Sequence, residues 1–196
     1  MSQVQSTLTC FCEEEFTVSY DDVVDLSSPD VRQDVLEGRF LAFPCPACGK
    51  TLKIEPRVQL RDGSDIWDVY PEMERDHFLA GKLTVDPSAQ RVVFGYKEMA
   101  EKIHLLADNL DDRPIEILKY LFLQKQGWPE SLVLYYKGDQ DDKISFYLEG
   151  LKENEIGVTG VPKLYYNKLR DQLNQAEYQE LLSGPYISVQ KLAKED

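Results

Sequence analysis

The sequence predicts a mixed α+β chain: an N-terminal β domain with a short helical insert, then a helical hairpin and a smaller C-terminal α+β unit. Three observations predict it. The chain's four cysteines stand as two close pairs, Cys10/Cys12 and Cys45/Cys48, each flanked by short alternating apolar runs. Two long segments, 96–110 and 114–122, carry apolar residues at helical spacing. After them the composition shifts to strand-like runs rich in tyrosine, which divides the chain into 1–127 and 128–196.

Taken in order, Leu8 leads as a short strand into the first cysteine pair, and Phe16, Val18 and Tyr20 alternate with Thr17 and Ser19 beyond it. Ser27-Ser28-Pro29-Asp30 starts a helix, with a serine cap, proline in the first turn and an acid beside it. It runs to Glu37, with Val31, Val35 and Leu36 inward and Gly38 as the stop. Phe40–Phe43 feeds the second pair as a strand, and Thr51–Ile54 leads out of it. Val58–Leu60 and Ile66–Val69 flank an Asp-Gly turn and form a hairpin. A short helix over 72–80 ends at Gly81, and Arg91–Phe94 is a strand.

In the first long helix Tyr96, Met99, Ala100, Ile103, Leu106, Ala107 and Leu110 share one face; Lys97, Glu101, His104 and Asp108 share the other. Asp111 or Asp112 caps the second, which carries Ile115, Leu118, Leu121 and Phe122 inward and stops at Gly127-Trp128-Pro129. The C-terminal unit contains strands over 132–136 and 144–148, a helix opened by Pro162, and a last strand at Tyr186, Ile187 and Val189.

The cysteines carry the chemistry. They read C-F-C and, 32 residues later (13 through 44), C-P-A-C-G. Two short pairs in tight turns deliver four sulfurs to one point, and four thiolates suit one structural Zn2+. Pro46 stiffens the second turn, and Gly49 takes a positive φ just after its second cysteine. Cys10, Cys12, Cys45 and Cys48 are therefore the metal-ligand candidates, in a zinc-ribbon-like domain. A dithiol redox pair, a disulfide framework and four free thiols are the rival readings. The strand expected directly after Cys48 counts against a redox motif, which needs a helix start there. No catalytic residue and no other cofactor is assigned.

Composition narrows the function classes. The net charge is −13, and residues 1–70 hold 13 acids against 6 bases. A nucleic-acid-binding ribbon needs a basic face, so nucleic acid is disfavoured as a partner. No 18-residue apolar run predicts a membrane span, and the first residues lack the basic and apolar regions of a signal peptide. A reducing cytoplasm is the expected location, where thiolates stay available for metal.

Asp111, Asp112, Arg113 and Glu116 cluster at a helix start. They read either as a polar ligand site or as a cap with an Arg113–Glu116 surface pair. His77 and His104 are the only histidines, with His104 on the polar face of its helix. Asp139, Asp141 and Asp142 lack the spacing of a calcium loop and read as a hairpin turn. The eleven tyrosines suit core edges and protein interfaces about equally.

Several of these stretches occur together and in order in one family. The N-terminal Cys pair, Leu36-Glu37-Gly38, Phe43-Pro44-Cys45-Pro46-Ala47-Cys48-Gly49, the run from Arg91 to Gly95, and the run from Leu110 to Lys119 make the chain resemble the CpXC domain over about residues 6–125. The first pair is C-x-C where many such domains show C-x-x-C. The resemblance implies a zinc-ribbon-like domain and no particular reaction. Function then falls to surfaces: a protein-interaction or adaptor module, with an enzyme site away from the zinc and a thiol redox or metal sensor as the alternatives.

Overall fold

In the computed structural model, residues 3–124, 128–129 and 131–192 are described. The chain is mixed α+β and forms two compact units, 1–99 and 100–196. The sequence boundary near 127 follows composition, whereas these units follow packing.

In the first unit, β1 (Gln3–Thr9) and β2 (Glu15–Asp21) form an antiparallel two-stranded ribbon. Its inner face alternates Val4, Ser6 and Leu8 with Phe16, Val18 and Tyr20 across the register. β3 (Val23–Asp25) follows, a strand with too few residues to show a period. α1 (Pro29–Leu36) starts at the expected proline, but Leu36 is exposed and Val35 alone in this helix is fully buried. β4 (Ala42–Pro44) and β5 (Thr51–Lys53) make a second small hairpin. The strand before the second cysteine pair starts at Ala42 rather than Phe40, because Leu41 takes a left-handed φ of 54° and breaks the extended run.

β6 (Val58–Asp62) and β7 (Asp65–Tyr70) form the expected hairpin around Gly63-Ser64. They lie inside a four-stranded sheet of order β3-β6-β7-β8, with β3 and β8 (Arg91–Phe94) added in parallel. A 3-10 turn, Glu72–Glu74, runs into α2 (Arg75–Leu79), and Gly81 follows at positive φ. Val58, Leu60, Val69, Val92, Val93 and Phe94 fill the core of this unit. Asp68 and Glu98 are buried carboxylates of this unit; Asp68 accepts from Tyr70 Oη, Arg57 Nη2 and Gln59 Nε2, and from the Asp86 amide at 3.1 Å. Four donors offset the desolvation that a lone buried carboxylate would suffer.

α3 (Gly95–Ala107) runs from the first unit into the second. Asn109, at a φ of 54°, ends it in left-handed backbone. α4 (Asp112–Leu123) is capped by Asp111, whose Oδ1 accepts the Arg113 amide. The stop assigned to Gly127 lies outside the described residues, as do Met1 and Ser2.

The second unit continues with a three-stranded antiparallel sheet, ordered β11-β10-β9. β9 (Val133–Gln140) and β10 (Lys143–Lys152) meet at Asp141-Asp142, both at positive φ, so the aspartates form a tight hairpin turn. β11 (Glu155–Pro162) was not legible, since Gly157 and Gly160 interrupt its apolar pattern. α5 (Lys163–Arg170) begins directly after Pro162, and α6 (Gln179–Leu182) follows a further 3-10 turn. Tyr186, Ile187 and Val189 are buried but form no strand, contrary to expectation; the segment passes into a 3-10 turn at Val189–Leu192. Its backbone is held by side chains instead. Leu105, Ile115, Leu134, Ile144, Phe146 and Tyr166 centre the core of this unit.

Candidate metal centre

Each cysteine pair sits at the turn of a hairpin, Cys10/Cys12 between β1 and β2 and Cys45/Cys48 between β4 and β5. The two turns are built alike. In the second, the Cys45 amide donates to Lys50 O, the Gly49 amide donates to Cys45 O, and Gly49 has a φ of 72°. In the first, the Cys10 amide donates to Glu14 O, the Glu13 amide donates to Cys10 O, and Glu13 has a φ of 69°. Glu13 thus takes the place of the turn glycine, one residue earlier because C-F-C is one residue shorter than C-P-A-C. Sequence reading missed it, since glutamate gives no signal for left-handed backbone.

The four sulfurs lie within 4.8 Å of one another. Cys10 Sγ is 3.6 Å from Cys48 Sγ, and Cys12 Sγ is 3.7 Å from Cys45 Sγ. A tetrahedron of thiolates at ~2.3 Å from a zinc ion has edges of about 3.8 Å, so the donor set fits such an ion. All four are free thiols, with Cys10 and Cys45 buried and Cys12 and Cys48 exposed. Burial pushes the Cys45 thiol up, but the amides of Cys48 and Ala47 and the neighbouring Cys10 and Cys12 outweigh it and bring it down to about 7. Thiolate is the form a metal takes. Phe11, between the first two cysteines, is 93% exposed.

The other charged cluster takes a different form from the one expected. Arg113 pairs with its neighbour Asp111, and Glu116 does not face it. Glu116 is 1% exposed and lies in a closed network with Glu101, Lys102, Asp112 and Lys119. Lys102 Nζ donates to Asp112 at 3.0 Å, Glu116 at 3.4 Å and Ile187 O at 2.7 Å. Lys119 Nζ donates to Glu101 at 2.6 Å and Glu116 at 2.9 Å. The free carboxylate oxygens take backbone amides, Tyr136 on Glu101 and Val189 on Glu116.

Burial pushes the Lys102 amine down, but Asp112 and Glu116 outweigh it and its pKa is raised. Lys119 is raised in the same way, chiefly by Glu101 and Glu116. Glu116 is lowered, because the two lysines overcome its burial, whereas burial dominates at Glu101 and raises it. Glu101 therefore does not share the solvent face expected of it. Asp112, Glu116 and Lys119 fall at i, i+4 and i+7, one helix stripe, which was the available signal.

His77 is exposed and pairs with Glu74 at 3.1 Å. His104 is half-buried against Tyr136, ring centres 5.5 Å apart. Neither histidine belongs to the cysteine cluster.

A family model described as CpXC protein matches residues 8–119, which contain both hairpin turns and run to the end of the charged stripe on α4. The chain belongs to the CpXC family. A protein from Treponema pallidum (strain Nichols), described as an uncharacterized protein, is 26% identical over 214 residues, covering 92% of this chain and 95% of that one. No solved structure matches. The CpXC match spans all four cysteines, and their clustering shows a group able to hold a metal ion. No helix among the described residues is long and apolar enough to cross a membrane.

Proposed function

We propose that this CpXC protein binds one Zn2+ through Cys10, Cys12, Cys45 and Cys48, in a zinc-ribbon-like arrangement of two hairpins. The convergence of four sulfurs within 4.8 Å, with two of their separations near a tetrahedral edge, carries this reading. Zinc is preferred over other thiophilic metals because a four-thiolate set around a single point is its commonest structural site. Four protein ligands close the coordination shell, so the ion supplies folding free energy and leaves no position for an activated water. A reducing cytoplasm fits this use of the thiols.

The metal-held unit serves as a protein-interaction module. Phe11 supports this: an aromatic side chain held out to solvent between two ligands is a pre-ordered contact point. Metal analysis of protein purified without added metal, with thiol titration before and after chelation, tests the site. One zinc per chain and thiols that react only after chelation are expected; four reactive thiols without metal would sink it. Cross-linking in cells tests the module, with Phe11→Ala expected to lose cross-links that the parent chain makes.

A second reading, a thiol sensor, draws on the exposure of Cys12 and Cys48. It expects zinc release by mild peroxide at a rate well above that of a fully buried four-thiolate site, and no release above that rate excludes it.

A further inference from the structure

The sheet of the second unit has two edges, and they are built differently. On β9 the register slips between the Ser145–Gly138 and Phe146–Tyr136 pairs, which places Lys137 in a bulge. The Tyr136 amide is taken by Glu101, and Asp139 is ion-paired with Lys163. Bulges and edge charges are the devices that stop a strand from recruiting another.

β11 carries them only at its ends: Glu155 opens it, Pro162 closes it, and its register with β10 shifts beyond the Leu148–Gly157 pair. Ile156-Gly157-Val158-Thr159-Gly160-Val161 contains no charge and no proline. Its register with β10 is unbroken from Pro162 to Gly157. Among the described residues β10 is the one strand it pairs with. Ile156 is 63% exposed and Val158 59% exposed. On the outer face Tyr135, Tyr147 and Val158 stand directly opposite one another across the three strands.

We propose that β11 is a dimerisation strand, pairing antiparallel with β11 of a second copy about a two-fold axis through Val158. Two-fold pairing demands a strand that complements its own reverse. With Val158 opposite itself, Ile156 faces Gly160 of the second copy and Gly157 faces Thr159, so each glycine gap receives a branched side chain. The outer row Tyr135, Tyr147, Val158 continues into the same three residues of the second copy, across six strands.

Charge agrees with this occupant. Glu153 stands just before the strand and Lys163, paired with Asp139 of its own chain, just past its end, so antiparallel copies set Glu153 opposite that lysine. The uncharged centre lets two chains of net charge −13 meet where their repulsion is least.

Sedimentation of the full chain over micromolar to sub-millimolar concentration tests the proposal. The weight-average mass should rise from one chain toward two. Val158→Lys and Val158→Glu should each weaken dimerisation by more than about tenfold, because each sets like charges face to face. Mixing the two variants should restore a dimer. Met73→Lys, at an exposed apolar position of the first unit, should change nothing. Backbone amide exchange in the parent chain gives a readout without substitution, with protection over 156–160 rising with concentration. A single-chain mass throughout, an edge strand left for some other protein included, overturns the proposal. So does a dimer indifferent to both variants, or a mixture that stays monomeric.

Discussion

The cysteine cluster of the first unit and the buried charge cluster of the second both gather ligand-type side chains, and they reach opposite electrostatic ends. Cys10, Cys12, Cys45 and Cys48 are four donors of one kind, so no member can neutralise another. Glu101, Asp112 and Glu116 meet Lys102 and Lys119, and Glu101 and Glu116 also take backbone amides. A like-donor group needs a cation from outside to be stable as thiolates, whereas a mixed group completes itself. Convergent polar residues thus indicate a ligand only when the group includes no partner of opposite charge. The ligand-site reading of the cluster from Asp111 to Glu116 loses its footing on this ground, since Glu116 is held by two lysines and the Val189 amide.

Breaking each cluster separately sharpens the contrast. The largest effect is expected from Cys45→Ser or chelation, which removes a metal contribution on the order of 10 kcal/mol to the first unit. Metal analysis should show loss of the ion, and backbone NMR should show collapse of the β1–β2 and β4–β5 signals with those of 100–196 retained.

Next comes Glu116→Gln, which takes from each of two buried lysines one of its two carboxylate partners. It should cost about 3–5 kcal/mol in denaturant melts of the second unit and leave metal content unchanged. Equal metal loss in this variant would erase the distinction between the clusters.

The pH response should also separate them. Lys102 and Lys119 are held above their ordinary 10.5, so their contribution is complete below pH 10.5 and is lost as pH rises past it. Glu116 is held below its ordinary 4.5, so its contribution is present above pH 4.5 and lost as pH falls below it. Glu101 shifts the other way and offsets part of the acid loss. Near-UV circular dichroism should therefore show a steeper alkaline than acid transition, and Lys119→Met should flatten the alkaline arm.

The smallest change is expected at Glu13. Glu13→Gly places the permissive residue where left-handed backbone is required and should raise the melting free energy by up to about 1 kcal/mol. Metal stoichiometry should stay the same.

Local chemistry determined much of this protein before any tertiary contact was known. The paired cysteines, the Pro29 helix start, the Gly63 turn, the Asp111 cap and the existence of α3 and α4 depend on residues within a turn or two of one another, and such signals survive in a linear sequence. The buried faces were read only in part: Leu121 is exposed and Glu101 buried. Tertiary structure alone decided the rest. β3 and β11 hold β-branched residues, but three residues in one and two glycines in the other leave no readable period, and neighbouring strands set their extent. Glu13 and Leu41 adopt left-handed backbone that no propensity announces. Tyr186 to Val189 needs no strand because Lys102 and Glu116 hold its backbone from far away in sequence. The burial of five charged residues is the clearest case, since a charge may leave water only where its partners already wait, and partners are a property of the fold.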